Sequence, residues 1–149
     1  MQALYEGDRE RAEAIRHPEL DVFEAAALGE VERLRTLLDA DPTLVSAWSA
    51  DGFTPLHYAV FFGDPETVRV LANRGADIET PARNEDFAGR ARPLHSAVAA
   101  RRLDTVIALL EAGADPNAER PGGGTPLEEA LQVGDDGLAA LLRENGARR

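Results

Sequence analysis

Residues 54–63 read Thr54-Pro55-Leu56-His57-Tyr58-Ala59-Val60-Phe61-Phe62-Gly63. Thr54 stands where a helix N-cap belongs, and Pro55 follows at the first helical position, where a missing N–H costs nothing. Leu56, Ala59 and Val60 fall at i, i+3 and i+4, a stripe along one side of a helix. Gly63 punctuates the end of that helix. Asp64-Pro65 then offers a second cap-and-proline start. Gly75-Ala76-Asp77 follows, with a glycine suited to a left-handed turn. The local reading is a helix pair followed by an extended, hairpin-like finger.

The same grammar recurs along the chain. Pro93-Leu94-His95-Ser96-Ala97-Val98 leads to Gly113-Ala114-Asp115, and Thr125-Pro126-Leu127-Glu128-Glu129-Ala130-Leu131 leads to Asn145-Gly146-Ala147. A degenerate copy holds Val22, Ala25, Ala26 and Gly29, then Val31, Leu34, Leu37 and Leu38. The equivalent positions Val22, Leu56, Leu94 and Leu127 are 34, 38 and 33 residues apart. A period near 33 carrying Thr-Pro-Leu-His resembles the ankyrin repeat. The resemblance covers about residues 20–147 and is nearest to the short ankyrin proteins common in bacteria. It implies an all-α solenoid of stacked helix-turn-helix units with hairpin-like fingers. Repeats are expected at 20–50, 51–83, 91–120 and 121–149, the last as a C-terminal cap. Residues 1–19 read as an N-terminal capping half-repeat, and 84–90 as an insertion in a finger.

Within this frame Ala59, Ala97 and Ala130 are small enough for neighbouring helices to approach closely. Thr125 and Glu128 repeat the cap as a capping box. Leu103, Val106, Ile107, Leu109 and Leu110 mark the buried side of the second helix in the third repeat. Three departures stand out. Arg92 replaces the capping threonine, Arg101 replaces a glycine, and the spacing between the second and third copies is about five residues longer than the repeat period. The surplus around Asn84-Glu85-Asp86-Phe87-Ala88-Gly89 predicts an enlarged, mobile finger in which Phe87 could anchor onto the stack.

The net charge is −11, and all 16 basic residues are arginine. Anionic backbones and lipid surfaces are repelled on average, which argues against nucleic-acid and membrane partners. No run approaches the roughly 20 apolar residues of a membrane span. Met1 to Arg16 lack an apolar core of the secretory kind, so a cytoplasmic location is expected. Without cysteine, disulfides and thiolate metal sites are excluded.

Few residues suggest chemistry. His57 and His95 hold the same place in successive repeats. Helices about 8–10 Å apart keep such rings from sharing an ion held at about 2.0–2.1 Å. The resemblance implies that each bonds to a nearby threonine or backbone group instead. Gly122-Gly123-Gly124-Thr125 lacks the lysine and the spacing of a phosphate loop. Asp135-Asp136, Glu128-Glu129 and Glu85-Asp86 are sequence neighbours with no evident base beside them. No catalytic, metal or cofactor site is expected, and an undetected hydrolase is the weakest alternative. The resemblance implies that Asn117 stabilises the hairpin; some hydroxylases modify this position in the family.

A non-catalytic module that binds another protein, as adaptor or inhibitor, is the expected function. An acidic decoy of a basic nucleic-acid-binding protein is the alternative. The capped ends favour a monomer. A second stripe in the first helices, Glu24/Ala27/Leu28, Tyr58/Phe61/Phe62, Ser96/Ala99/Ala100 and Glu129/Gln132/Val133, lies opposite the core stripe. The resemblance implies that this side faces a concave groove where partners dock. Candidate partner-binding residues are Trp48, Asp51, Phe53, Tyr58, Phe61, Phe62, Glu85, Phe87, Ala99, Arg101, Arg102 and Gln132.

Overall fold

The computed structural model describes residues 20–84 and 90–148. The expected half-repeat at 1–19, and Glu85 and Phe87 of the long finger, lie outside them. The described residues form α1 (Val22–Leu28), α2 (Val31–Ala40), a 3-10 turn (Pro42–Ser46), α3 (Pro55–Phe62), α4 (Pro65–Asn73), α5 (Pro93–Ala99), α6 (Leu103–Glu111), α7 (Pro126–Val133) and α8 (Asp136–Glu144). No strand occurs among them. The odd-numbered helices stack as one layer, α1 on α3, α3 on α5 and α5 on α7. Each packs against its even-numbered partner, and α2, α4 and α6 stack behind. This is the all-α solenoid that the repeats predict.

The caps carry the local logic. The Thr54 hydroxyl accepts from the His57 N–H, and Asp64, Thr125 and Asp135 cap α4, α7 and α8 in the same way. At α1, Asp21 and Glu24 form a reciprocal capping box. At α7 only half of the expected box forms. The Glu128 N–H reaches the Thr125 hydroxyl, while the Glu128 carboxylate accepts from that hydroxyl rather than from the backbone. Glycines 75, 113 and 146 take φ of 91°, 102° and 100°, the left-handed turns their positions call for.

Gly63 has a different purpose from the one expected. Its φ is −84°, so it is no left-handed cap. A Cβ on Gly63 would lie 2.6 Å from the Ala26 carbonyl oxygen. The glycine lets α1 and the end of α3 touch.

One core runs through the stack. Leu34, Leu56, Leu71, Leu94, Leu109, Leu127 and Leu142 are all buried, with Ala25, Ala59, Ala97 and Ala130 between them at the helix contacts. Two readings of the core need correction. Leu131 belongs to the core stripe by period but is 47% exposed, because no further described helix stacks on α7 to cover it. Leu103 is exposed at the first position of α6, and Ile107 and Leu110 are only half-buried.

The fingers are tied to one another. Ser49 N–H donates to the Phe53 carbonyl and Arg120 N–H to the Gly124 carbonyl, closing equivalent turns. The glycines at 122–124 serve the second of these, with φ near 100°. Arg83 N–H donates to the Gly52 carbonyl, and the Asn84 side chain to the Asp51 carbonyl, so the second finger leans on the first. Arg92, which cannot cap α5, donates instead to the carbonyls of Glu79 and Glu119, both at 2.7 Å.

Candidate partner-binding groove

The groove is built around α3. Its sequence, PLHYAVFF, is apolar around most of its circumference. Leu56, Ala59 and Val60 point into the core. Tyr58 and Phe61 remain half-buried, and Phe62 is 62% exposed. The stack covers α3 with α1, α5 and α4 and still leaves an aromatic edge facing the fingers.

Finger residues meet that edge. Phe53 is 7% exposed and forms the floor. Its ring stands edge-on to His57, Tyr58 and Phe61, with centroids 6.0, 5.8 and 5.9 Å away. Such edge-to-face pairs are favoured by the ring quadrupoles. Asp51, Phe53, Tyr58, Phe61, Phe62 and Asn84 line an open pocket of about 300 Å³. The other side of the Tyr58 ring helps to wall a second pocket of about 430 Å³, with Phe23, Ala27, Trp48, Asp21 and Glu24. Tyr58 is thus a partition between two depressions. Its hydroxyl donates to Ser49 Oγ at 3.0 Å, and its ring meets Phe23 at 5.6 Å. Trp48 carries the Arg83 guanidinium 3.8 Å above its ring, a cation–π contact.

Five of the candidate residues therefore gather on one pocket, and Trp48 lies on the next. Phe53 acts there as support more than as a contact surface. Ala99, Arg101 and Gln132 are exposed but line neither pocket. Arg101 holds φ at 57°, the conformation for which a glycine was expected, and its guanidinium donates to the Val133 carbonyl. The Arg102 guanidinium is turned inward, onto the carbonyls of Val60 and Gly63. Phe23, Ser49 and Arg83 escaped the sequence reading, which named Asn84 only as part of the long finger. Phe23 had a findable signal, since it occupies the repeat position that His57 and His95 hold.

His57 and His95, the histidines among the described residues, are tied into the fold. His57 Nδ1 accepts from the Thr54 backbone N–H at 2.9 Å, which requires the proton on Nε2, where it is donated to the Thr80 carbonyl at 2.9 Å. Burial holds this imidazole neutral and lowers its pKa to about 4. His95 likewise reaches the Gly124 carbonyl through Nε2. Its Nδ1 is buried without a partner. Burial lowers its pKa too, helped by the charges of Arg120 and Arg92. Asn117 ties the third finger to the last turn, donating to the Gly146 carbonyl and accepting from the Arg148 N–H.

The comparisons with known proteins agree with this architecture. A model of ankyrin repeats in three copies matches residues 3–82 and 22–120. An ankyrin repeat protein of fowlpox virus is 35% identical over 86% of this chain and 28% of its own length. The Arabidopsis thaliana E3 ubiquitin-protein ligase KEG is 31% identical over 84% of this chain and 8% of its own. The chain thus spans under a third of either relative. Cyclin-dependent kinase 4 inhibitor B of Bos taurus is 32% identical over 83% of this chain and 89% of its own. On repeat pattern, stacked helix pairs and these matches together, the chain belongs to the ankyrin-repeat family, a family of protein-interaction modules.

Proposed function

We propose that the protein binds another protein through the groove between α3 and the fingers, without catalysing a reaction, as an adaptor or inhibitor. The observation that carries this is the aromatic edge of α3. Phe62 stands exposed beside the half-buried Phe61 and Tyr58, in a pocket rimmed by Asp51 and Asn84. An apolar centre within a polar rim is the anatomy of a protein interface, and aromatic residues are its commonest anchors. The match along most of a protein named as a kinase inhibitor supports action by occupying a partner. Helix pairs starting at Val22, Pro55, Pro93 and Pro126 support the repeat units at 20–50, 51–83, 91–120 and 121–149 as the scaffold.

The experiment compares wild type, Phe62→Asp and Tyr58→Ala as immobilised baits. Partner retention should survive 0.5 M salt with wild type and be lost with Phe62→Asp, whose unfolding midpoint stays unchanged. Retention by wild type and Phe62→Asp alike that vanishes with salt would favour the acidic decoy instead.

A further inference from the structure

On the outer layer, four acids among the described residues are paired with arginines. Arg35 meets Glu32 and Glu66 at 3.1 and 3.4 Å, Arg69 meets Glu111 at 3.7 Å, and Arg74 meets Asp39 at 2.8 Å. The three acids that border the two pockets have no such cations among the described residues. Asp51 is exposed on the wall of the first pocket, and Asp21 and Glu24 line the second. Asp21 and Glu24 accept only backbone N–H groups of their capping box. Among the described residues none of the three is paired with an arginine. These uncompensated carboxylates border two apolar depressions that share Tyr58 as a wall. Arg83, beside these pockets, lies on the Trp48 ring rather than on a carboxylate.

From this juxtaposition we infer that the groove takes a polypeptide segment in which an apolar side chain is flanked by lysine or arginine. This inference rests on the protein-binding reading of the same groove and names its partner's chemistry. The apolar side chain enters the pocket lined by Phe53, Phe61 and Phe62. A cation beside it meets Asp51, and a second, beyond the Tyr58 partition, meets Asp21 and Glu24. A purely apolar segment would leave the three carboxylates partly desolvated and unmatched. An acidic segment would be repelled at both ends.

The test is a selection of random twelve-residue peptides displayed on phage against the full chain, followed by titration of synthetic peptides from the enriched pool. Enriched peptides should carry Lys or Arg within about four residues of an aromatic or aliphatic residue. Asp51→Asn with Glu24→Gln should weaken them about threefold to tenfold, the range expected of two partly exposed ion pairs. The glutamine keeps the capping hydrogen bond that Glu24 accepts. Asp104→Asn with Glu144→Gln removes the same charge away from the groove and should change affinity by less than about twofold, which separates local pairing from general attraction to an acidic protein. Neutral or acidic enriched peptides, an empty selection, or equal weakening by both double variants would overturn the inference. Failure of the groove itself reads differently: peptides of any charge would then bind Phe62→Asp as tightly as wild type.

Discussion

The Arg102 guanidinium donates to the Val60 carbonyl at 2.8 Å and so holds the last turn of α3 from the neighbouring helix pair. Its second donor reaches the Gly63 carbonyl. Helix C-termini leave carbonyls without intrahelical partners, and a cation there also complements the helix dipole. Arg102→Met should lower the unfolding free energy by about 1.5–3 kcal/mol, the usual worth of hydrogen bonds from a charged group. Urea unfolding reads this directly. A change below 0.5 kcal/mol on the scale of exposed surface substitutions would mean that the bracket contributes nothing.

Acid should weaken the fold through His57. Its pKa is lowered from 6.5 to about 4, so between these values the unfolded chain binds more protons than the folded one. The stability is complete above pH 6.5 and is lost as the pH falls toward 4. Between pH 7 and pH 5 the linkage amounts to about 2 kcal/mol from His57. His95, shifted in the same direction, adds to the loss. Urea midpoints at pH 7, 6 and 5 should decline in step; a flat series would show that the Thr54–His57–Thr80 bonds do not persist in solution.

Leu94 and Leu109 lie in the middle of the continuous core, at 2% and 0% exposure. Truncating either to alanine should cost about 2–5 kcal/mol. Neighbouring repeats share this core, so the loss should move one unfolding transition rather than create a second. Calorimetry and circular dichroism on the same samples would show whether the transitions coincide.

Gly63→Ala tests a contact rather than a conformation. The backbone there suits alanine, but the new Cβ would press on the Ala26 carbonyl at 2.6 Å. A destabilisation of about 1–3 kcal/mol is expected, typical of overpacking. If the variant is as stable as wild type, α1 and α3 are not in close contact at this point.

Much of this was legible because the repeat grammar is local. Thr54-Pro55 and Asp64-Pro65 announce helix starts, and the glycines at 75, 113 and 146 announce turns, each through its own backbone preference. The groove was legible through the second stripe of α3, since Tyr58, Phe61 and Phe62 share a face whatever surrounds them. What escaped depends on neighbours. Leu131 has core periodicity but lacks the helix that would cover it. Ser96 fits the groove stripe yet is buried, its side chain too short to emerge where the tyrosine of α3 does. Arg102 reads as a surface cation until the end of α3 is placed beside it. Gly63 reads as a turn until Ala26 is known to lie against it.

Arg92 sets a dimension as well as a contact. By gripping the carbonyls of Glu79 and Glu119 from a single guanidinium, it fixes the distance between two fingers, while the backbone bond from Arg83 to Gly52 fixes the distance to the finger before. The fingers are therefore teeth of a comb whose pitch is held by rigid planar groups as well as by the apolar packing of the helices beneath. A chain bound as proposed above would have to keep time with that pitch. Such a chain would advance by a whole tooth, and stretching the comb to a mismatched spacing would break one of these grips.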